Sequence, residues 1–156
     1  MNVNAKRSSA DAIRSLEQVL TEIPLANALQ IRVECWDQDR LVLSSPYGTS
    51  RNHHGKAFGG AIECLGTLAC WGWLWLSLDD PGLDIVIQTA TSQFFSPLTG
   101  DLLAQAEPPD PASRAHYQAM LARHSRARID LRATIGNAEN PKGASLLGRY
   151  VIIREH

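Results

Sequence analysis

The sequence predicts one α+β domain, a long apolar helix wrapped by a mostly antiparallel sheet. Three observations carry that expectation. The run from Ala57 to Leu78 contains one charged residue, Glu63, and is far too long for a strand. Segments on either side of it alternate apolar and polar residues with a period of two, so each strand has one face that a helix must cover. Turn-forming clusters separate these segments and none is long enough to act as a linker, so the 156 residues read as a single domain with one core.

Residues 1–22 read as a helical N-terminal extension of that domain. Ser9 is the expected N-cap, and Ile13, Leu16, Val19 and Leu20 share a face. Ile23-Pro24 ends this helix, and Pro24 opens a short second one over Leu25 to Leu29. Ile31, Val33 and Cys35 alternate with Arg32, Glu34 and Trp36, giving a strand that turns at Asp37-Gln38-Asp39 and returns as Leu41 to Ser45. Pro46 to Lys56 is a loop. The apolar helix comes next and stops at Asp79-Asp80-Pro81-Gly82. Asp84 to Phe95 is a long strand, with Ile85, Ile87, Thr89, Thr91, Gln93 and Phe95 opposite Val86, Gln88, Ala90, Ser92 and Phe94. Asp101 to Glu107 is a shorter one. Pro108, Pro109 and Pro111 then break the chain before a helix over Ala112 to Arg123, with Tyr117, Met120 and Leu121 on one face. Arg126 to Ile135 is the most regular strand: Ala127, Ile129, Leu131, Ala133 and Ile135 face one way, and Arg126, Arg128, Asp130, Arg132 and Thr134 the other. Ala144 to Ile153 is the last strand.

Composition narrows the function classes. With 44% hydrophobic and 20% charged residues the chain is globular rather than disordered. A net charge of −1 argues against a dedicated nucleic-acid binder. Cys35, Cys64 and Cys70 are odd in number and form no C-x-x-C, which reads as reduced thiols in a cytoplasmic protein. The polar stretch Met1 to Ser15 lacks the apolar core of a signal peptide. Ala57 to Leu78 could cross a bilayer by length, but Gly59, Gly60, Gly66, Gly72 and Glu63, and the absence of a basic flank, favour a buried helix. No membrane association is expected.

Three runs carry a closer likeness: NHHGKAFGGAIECLGTLACWGWLWL from Asn52, GLDIVIQTATSQFFSPLTGDLLAQAE from Gly82, and LLGRYVII from Leu146. In this order they resemble the putative thioesterase family of hotdog-fold proteins, over about Ile23 to Ile153. The family occurs alone or as the C-terminal half of bacterial proteins with an acetyltransferase domain. The resemblance implies a hotdog fold and a homodimer or dimer of dimers joined sheet edge to sheet edge. It further implies acyl-CoA or acyl carrier protein thioesters bound at the subunit interface. Some members resemble malonyl-acyl-carrier-protein decarboxylases, which make acetyl primers for fatty-acid synthesis.

Either chemistry needs donors aimed at one oxygen, an oxyanion in hydrolysis or an enolate in decarboxylation. Amides at a helix start are unpaired and sit at the positive end of the dipole, and glycine lets a ligand approach them closely. Gly59 and Gly60 are therefore the candidate donors; close helix–sheet packing would also explain them. The resemblance makes Asn52 the catalytic side chain, although an asparagine here also fits a loop cap. Either of His53 and His54, but not both in an extended loop, could be a general base, with His54 favoured; solvated loop histidines are the alternative. Glu63 could be a base or position water, or simply favour the helix N-terminus. Phe58, Lys56 and Thr67 complete the candidate substrate-binding set, with Lys56 equally readable as a solvated lysine.

Many hotdog thioesterases carry an acid about two turns into this helix, where the present sequence reads Thr67-Leu68. That departure keeps decarboxylation in view beside hydrolysis, and a non-catalytic acyl-binding protein as a third reading. Lys56 and Ala61 also depart from the hydroxyl residues common in relatives. Cys64 reads as packing, not as a nucleophile. Trp71, Trp73 and Trp75 cannot share one helix face, and core packing is their default role. No metal or cofactor is expected: adjacent histidines are not a ligand spacing, and His116 and His124 lie in another segment. Arg114, Arg123, Arg126, Arg128, Arg132 and Lys142 cluster in sequence and would suit coenzyme A phosphates or an acidic carrier protein. A solvated strand face explains them equally well.

Overall fold

A computed structural model describes residues 7–155; the first six residues of the polar N-terminal stretch and His156 lie outside it. Eleven elements follow the chain: α1 (Ser9–Glu22), α2 (Pro24–Ala28), β1 (Arg32–Asp37), β2 (Arg40–Ser45), α3 (Tyr47–Ser50), α4 (Gly59–Leu78), β3 (Leu83–Phe94), β4 (Leu102–Glu107), α5 (Pro111–Arg123), β5 (Arg126–Gly136) and β6 (Ala144–Arg154). The six strands form one antiparallel sheet in the order β1-β2-β4-β5-β6-β3. The sheet wraps α4, which touches β2, β4, β5, β6 and β3. This is the α+β architecture expected, with the apolar run as a core helix rather than a membrane span: 61% of its most apolar window is buried within the fold.

Local chemistry sets the ends of the elements. The N-cap of α1 is Ser8, not Ser9: its hydroxyl accepts from the Asp11 amide while Ser9 is already helical. Asp110 caps α5 in the same way through Ser113. Asp79 ends α4 in the left-handed region at φ 46°, two residues before Pro81. The loop after β2 contains a short helical turn, α3, that periodicity does not reveal. Four residues cannot show a repeat, and this turn is held by tertiary bonds such as Tyr47 N–H to Asp101.

Two bulges change which side chains face the core. β1 slips register between Val33 and Cys35, so Val33 pairs with Leu43 and Trp36 with Leu41 on the helix side, while Cys35 pairs with Val42 outside. β3 slips between Ile87 and Thr89. Its helix-facing residues are therefore Ile85 and Ile87, then Ala90, Ser92 and Phe94, opposite Ile152, Tyr150, Gly148, Leu146 and Ala144. Uniform alternation along β1 and β3 is thus overturned, because the one extra residue in each bulge inverts the phase beyond it.

The core is built from Leu16 and Leu20 of α1, Leu65, Ala69, Cys70, Trp73 and Leu74 of α4, and the inward residues of β2, β4, β5 and β6. Glycines inside α4 permit this contact. A Cβ on Gly66 would lie 2.9 Å from Ile135 Cδ1, and one on Gly72 would lie 3.0 Å from Leu41 Cδ2. The sheet edges differ. Along β1 runs α1, whose Glu17 accepts from the Val33 amide. Along the outer edge of β3 none of the described residues lies: Val86, Ile87 and Phe94 are exposed, as is the adjoining Phe95.

Candidate active site

The start of α4 is held in place by a tight loop. Arg51 and Ala57 form a β-bridge, Asn52 N–H donates to Lys56 O, and Gly55 turns the chain at φ 76°. Tyr47 Oη donates to Gly55 O, tying the loop to α3. Ala57 N–H then donates to Leu98 O and Phe58 N–H to Ser50 O, each at 2.8 Å, which fixes the entry to the helix.

A helix leaves its first amides without intrahelical partners. Here Ala61 and Ile62 donate to Phe58 O. The amides of Gly59 and Gly60 make no hydrogen bond among the described residues, and Phe58 supplies no side-chain cap. Two adjacent donors therefore point out of the positive end of a 20-residue helix. Gly59 and Gly60 do not meet buried core side chains as Gly66 and Gly72 do. A Cβ on Gly59 would meet the Phe94 ring at 3.6 Å, and one on Gly60 would meet the Phe58 ring at 2.5 Å. Two exposed aromatic rings thus flank the amide pair, Phe58 from the helix entry and Phe94 from the bare strand.

Asn52 Oδ1 accepts from His54 N–H at 2.9 Å and from Lys56 N–H at 3.0 Å. Its acceptor end is occupied by its own loop, so the cap reading holds for that end. Its Nδ2 makes no hydrogen bond among the described residues and remains available as a donor. The His53 and His54 rings lie together, centroids 3.9 Å apart and both exposed, because the loop is a tight turn rather than extended. Lys56 Nζ reaches Thr99 Oγ1 at 3.3 Å, towards the β3–β4 turn.

One stripe of α4 is left incompletely covered by the sheet: Gly60, Glu63, Cys64, Thr67, Trp71 and Trp75. Glu63 is exposed on it one turn after Gly60. Thr67 is half-buried a turn further, and its carbonyl accepts from Tyr150 Oη at 2.8 Å. Burial raises the Cys64 thiol above its ordinary range and pushes Cys70 up to about 12, so neither is a ready thiolate. Burial likewise raises Tyr150, whose hydroxyl is a structural donor. Trp73 is fully buried and donates to Asp39 O, while Trp71 and Trp75 stack on the open stripe with centroids 6.3 Å apart.

Sequence reasoning missed Phe94 and Ser92. Ser92 lies on the helix-facing side of β3 beside Leu146, and its buried Oγ has no partner among the described residues. Their shared face follows from the bulge, which no periodic signal marks. A cavity of about 630 Å³ opens on the other side of the sheet, lined by Arg32, Glu34, Ser44, Thr99 and Asn137 among others. No candidate residue lines it. Gly59 instead lies beside Phe94 of β3, a strand whose other edge pairs with no strand among the described residues.

Among solved structures, a protein of unknown function from Chlorobaculum tepidum TLS superposes with a TM-score of 0.88 at 24% identity, over 97% of this chain and 100% of that one. A putative thioesterase from Shewanella oneidensis gives 0.81 at 26% identity, over 92% and 99%. A thioesterase from Haemophilus influenzae gives 0.73 at 17% identity, over 97% and 96%, a likeness of fold. The family model described as "Putative thioesterase (yiiD_Cterm)" matches residues 13–154. That match takes in the whole sheet, the helix it wraps and the loop that leads into it, and the chain belongs to this putative thioesterase family of hotdog-fold proteins.

Proposed function

We propose that the chain is a thioesterase-type hydrolase acting on acyl thioesters of coenzyme A or acyl carrier protein. The observation that carries this reading is the pair of unbonded amides, Gly59 and Gly60, at the start of α4. A thioester oxygen there accepts from both amides, with Asn52 Nδ2 as a third donor. Water gives a proton to Glu63 or His54 as its oxygen bonds to the carbonyl carbon. The carbonyl π pair moves onto the held oxygen, and collapse expels the thiolate, which takes up the proton.

The bare β3 edge supports assembly of a homodimer, or a dimer of dimers. A strand of 12 residues with exposed Val86, Ile87 and Phe94 and no cover is an association surface. A second chain paired along it would wall the open side of the amide pair and give the acyl chain an apolar channel. Cys35, Cys64 and Cys70, all unpaired, support a reducing, cytoplasmic setting.

A second reading is malonyl-thioester decarboxylation. It is favoured by Asn52, whose acceptor end is committed to the loop, and by Thr67, which stands two turns into α4 in place of an acid. The resulting set of donors suits an enolate: the carbon–carbon bond breaks and carbon dioxide leaves, the bonding pair forms the enolate double bond as the carbonyl π pair moves onto the held oxygen, and the carbon is protonated afterwards as that oxygen pair returns to the carbonyl. Purified protein given acetyl-, hexanoyl- and malonyl thioesters of coenzyme A and carrier protein separates the readings. Free thiol is expected; acetyl thioester from malonyl thioester would replace hydrolysis with decarboxylation. Binding without turnover would leave a non-catalytic acyl-binding protein.

A further inference from the structure

We propose that the cleft between α5 and the first half of β5 is a phosphate-ester site that holds the phosphorylated end of a thioester's carrier. The ligand's identity rests on the thioester reading above; the site itself rests on the following geometry.

β4 pairs with β5 only over Arg132 to Gly136, so the part of β5 from Arg126 to Leu131 has no strand on that side. Helix α5 packs there instead, with Tyr117 buried. His116 and Met120 lie four residues apart on α5 and His124 caps it, so the three follow one stripe. Arg126 and Arg128 share one face of β5. Helix and strand enclose a cleft of about 470 Å³ lined by His116, Met120, His124, Arg126, Ala127 and Arg128. No carboxylate lines it.

The state of these cations is the second observation. Arg114, Arg149 and Arg154 each pair with an aspartate, and Arg114 also lies over Trp73. Among the described residues, no hydrogen bond or ion pair engages the side chains of His116, His124, Arg126 or Arg128. The carboxylate in the adjoining cleft, Asp130, is already held by Arg149 through two bonds of 2.8 and 3.1 Å. Two guanidinium forks and two imidazoles, unpaired among the described residues, therefore line one concavity, in a chain whose net charge is −1. Guanidinium forks match the oxygens of a phosphate ester or pyrophosphate.

Placement fits a shared site. Ile135, near the far end of β5, touches the position of Gly66 in α4, so the cleft and the glycine pair lie at opposite ends of a strand roughly 30 Å long. Two chains joined antiparallel along β3 reverse that direction. The cleft of one chain then lies at the same end as the amide pair of the other, about three strand spacings or ~15 Å along the sheet and on its opposite face.

The test uses the full chain and an R126Q/R128Q variant, with thermal melting as the folding control. Calorimetric titrations with coenzyme A, dephospho-coenzyme A and pyrophosphate read the site directly. Binding of coenzyme A and pyrophosphate is expected to weaken about 10- to 100-fold in the variant. The KM of phosphate-bearing thioesters should rise with kcat kept, while turnover of an N-acetylcysteamine thioester, which carries no phosphate, stays unchanged. Comparing KM for acyl-coenzyme A and acyl carrier protein identifies which phosphate source the site serves. Equal binding of both probes by the two proteins overturns the proposal even if both hydrolyse thioesters. Arginine-dependent binding by a protein that turns over no thioester keeps the phosphate site and removes the catalytic reading.

Discussion

Asn52 has two ends with separable tasks, and substitution can divide them. Its Oδ1 accepts from the amides of His54 and Lys56 at 2.9 and 3.0 Å, whereas its Nδ2 has no partner among the described residues. Asn52→Ala removes both ends. Two lost hydrogen bonds in an exposed loop cost about 1–2 kcal/mol in all, which in a domain of this size lowers Tm by about 2–8 °C. Asn52→Asp keeps an oxygen for the two amides and removes the donor, so its Tm should stay close to that of the wild type. Losing one donor to a developing oxyanion costs about 10²- to 10³-fold in kcat, or about 2.7–4 kcal/mol. Both variants should therefore lose activity to that extent, while only Asn52→Ala loses stability. Scanning calorimetry and steady-state assay of a thioester that the wild type turns over provide the two readouts. Full activity in Asn52→Asp would refute the donor role, and an unchanged Tm in Asn52→Ala would refute the loop-cap account.

Further expectations concern the helix, the thiols and the sheet edge. Glu63→Gln should leave Tm unchanged, since the side chain is exposed and unpaired among the described residues, but should slow hydrolysis about 10²- to 10⁴-fold if Glu63 is the base; a wild-type rate assigns that role elsewhere. Gly66→Ala places a Cβ 2.9 Å from Ile135 Cδ1 and 3.2 Å from Leu146 Cβ. Overpacking of about 1–3 kcal/mol, less about 1 kcal/mol of helix propensity, should give a net loss of about 0–2 kcal/mol in urea unfolding. Cys70, pushed up to about 12 by burial, forms thiolate only as pH rises towards that value, so native protein at pH 8 should resist iodoacetamide at Cys70 until it unfolds. Rapid labelling read by mass spectrometry would contradict the burial. Val86→Lys on the bare edge should shift the mass in size-exclusion chromatography with light scattering towards the monomer, and an unchanged oligomer would place the interface away from β3.

Much of the fold is legible in the residues themselves. The length and apolarity of Gly59–Leu78 require cover on most sides, and the alternation in β5 names both of its faces correctly. Gly59 and Gly60 could be located as unbonded amides because a helix start exposes amides whatever surrounds it. Side-chain roles were less legible. That Asn52 caps with its oxygen and frees its nitrogen depends on the curl of the loop, and the meeting of His116 and His124 with Arg126 and Arg128 depends on where β4 ends.

What the sequence by itself determined is thus the set of elements, the central helix and the amide pair at its start, because periodicity and capping are local properties of the chain. Tertiary structure decided the phase of β1 and β3. One extra residue at each bulge turned Trp36 and Phe94 towards the helix and Cys35 away from it, because pairing with a neighbouring strand, not local preference, determines where a register slips. It also decided that α1 covers β1 while none of the described residues covers the edge of β3. Which edge of a sheet remains open depends on the order of strands in space, and that order brings the open edge beside Gly59 and Gly60.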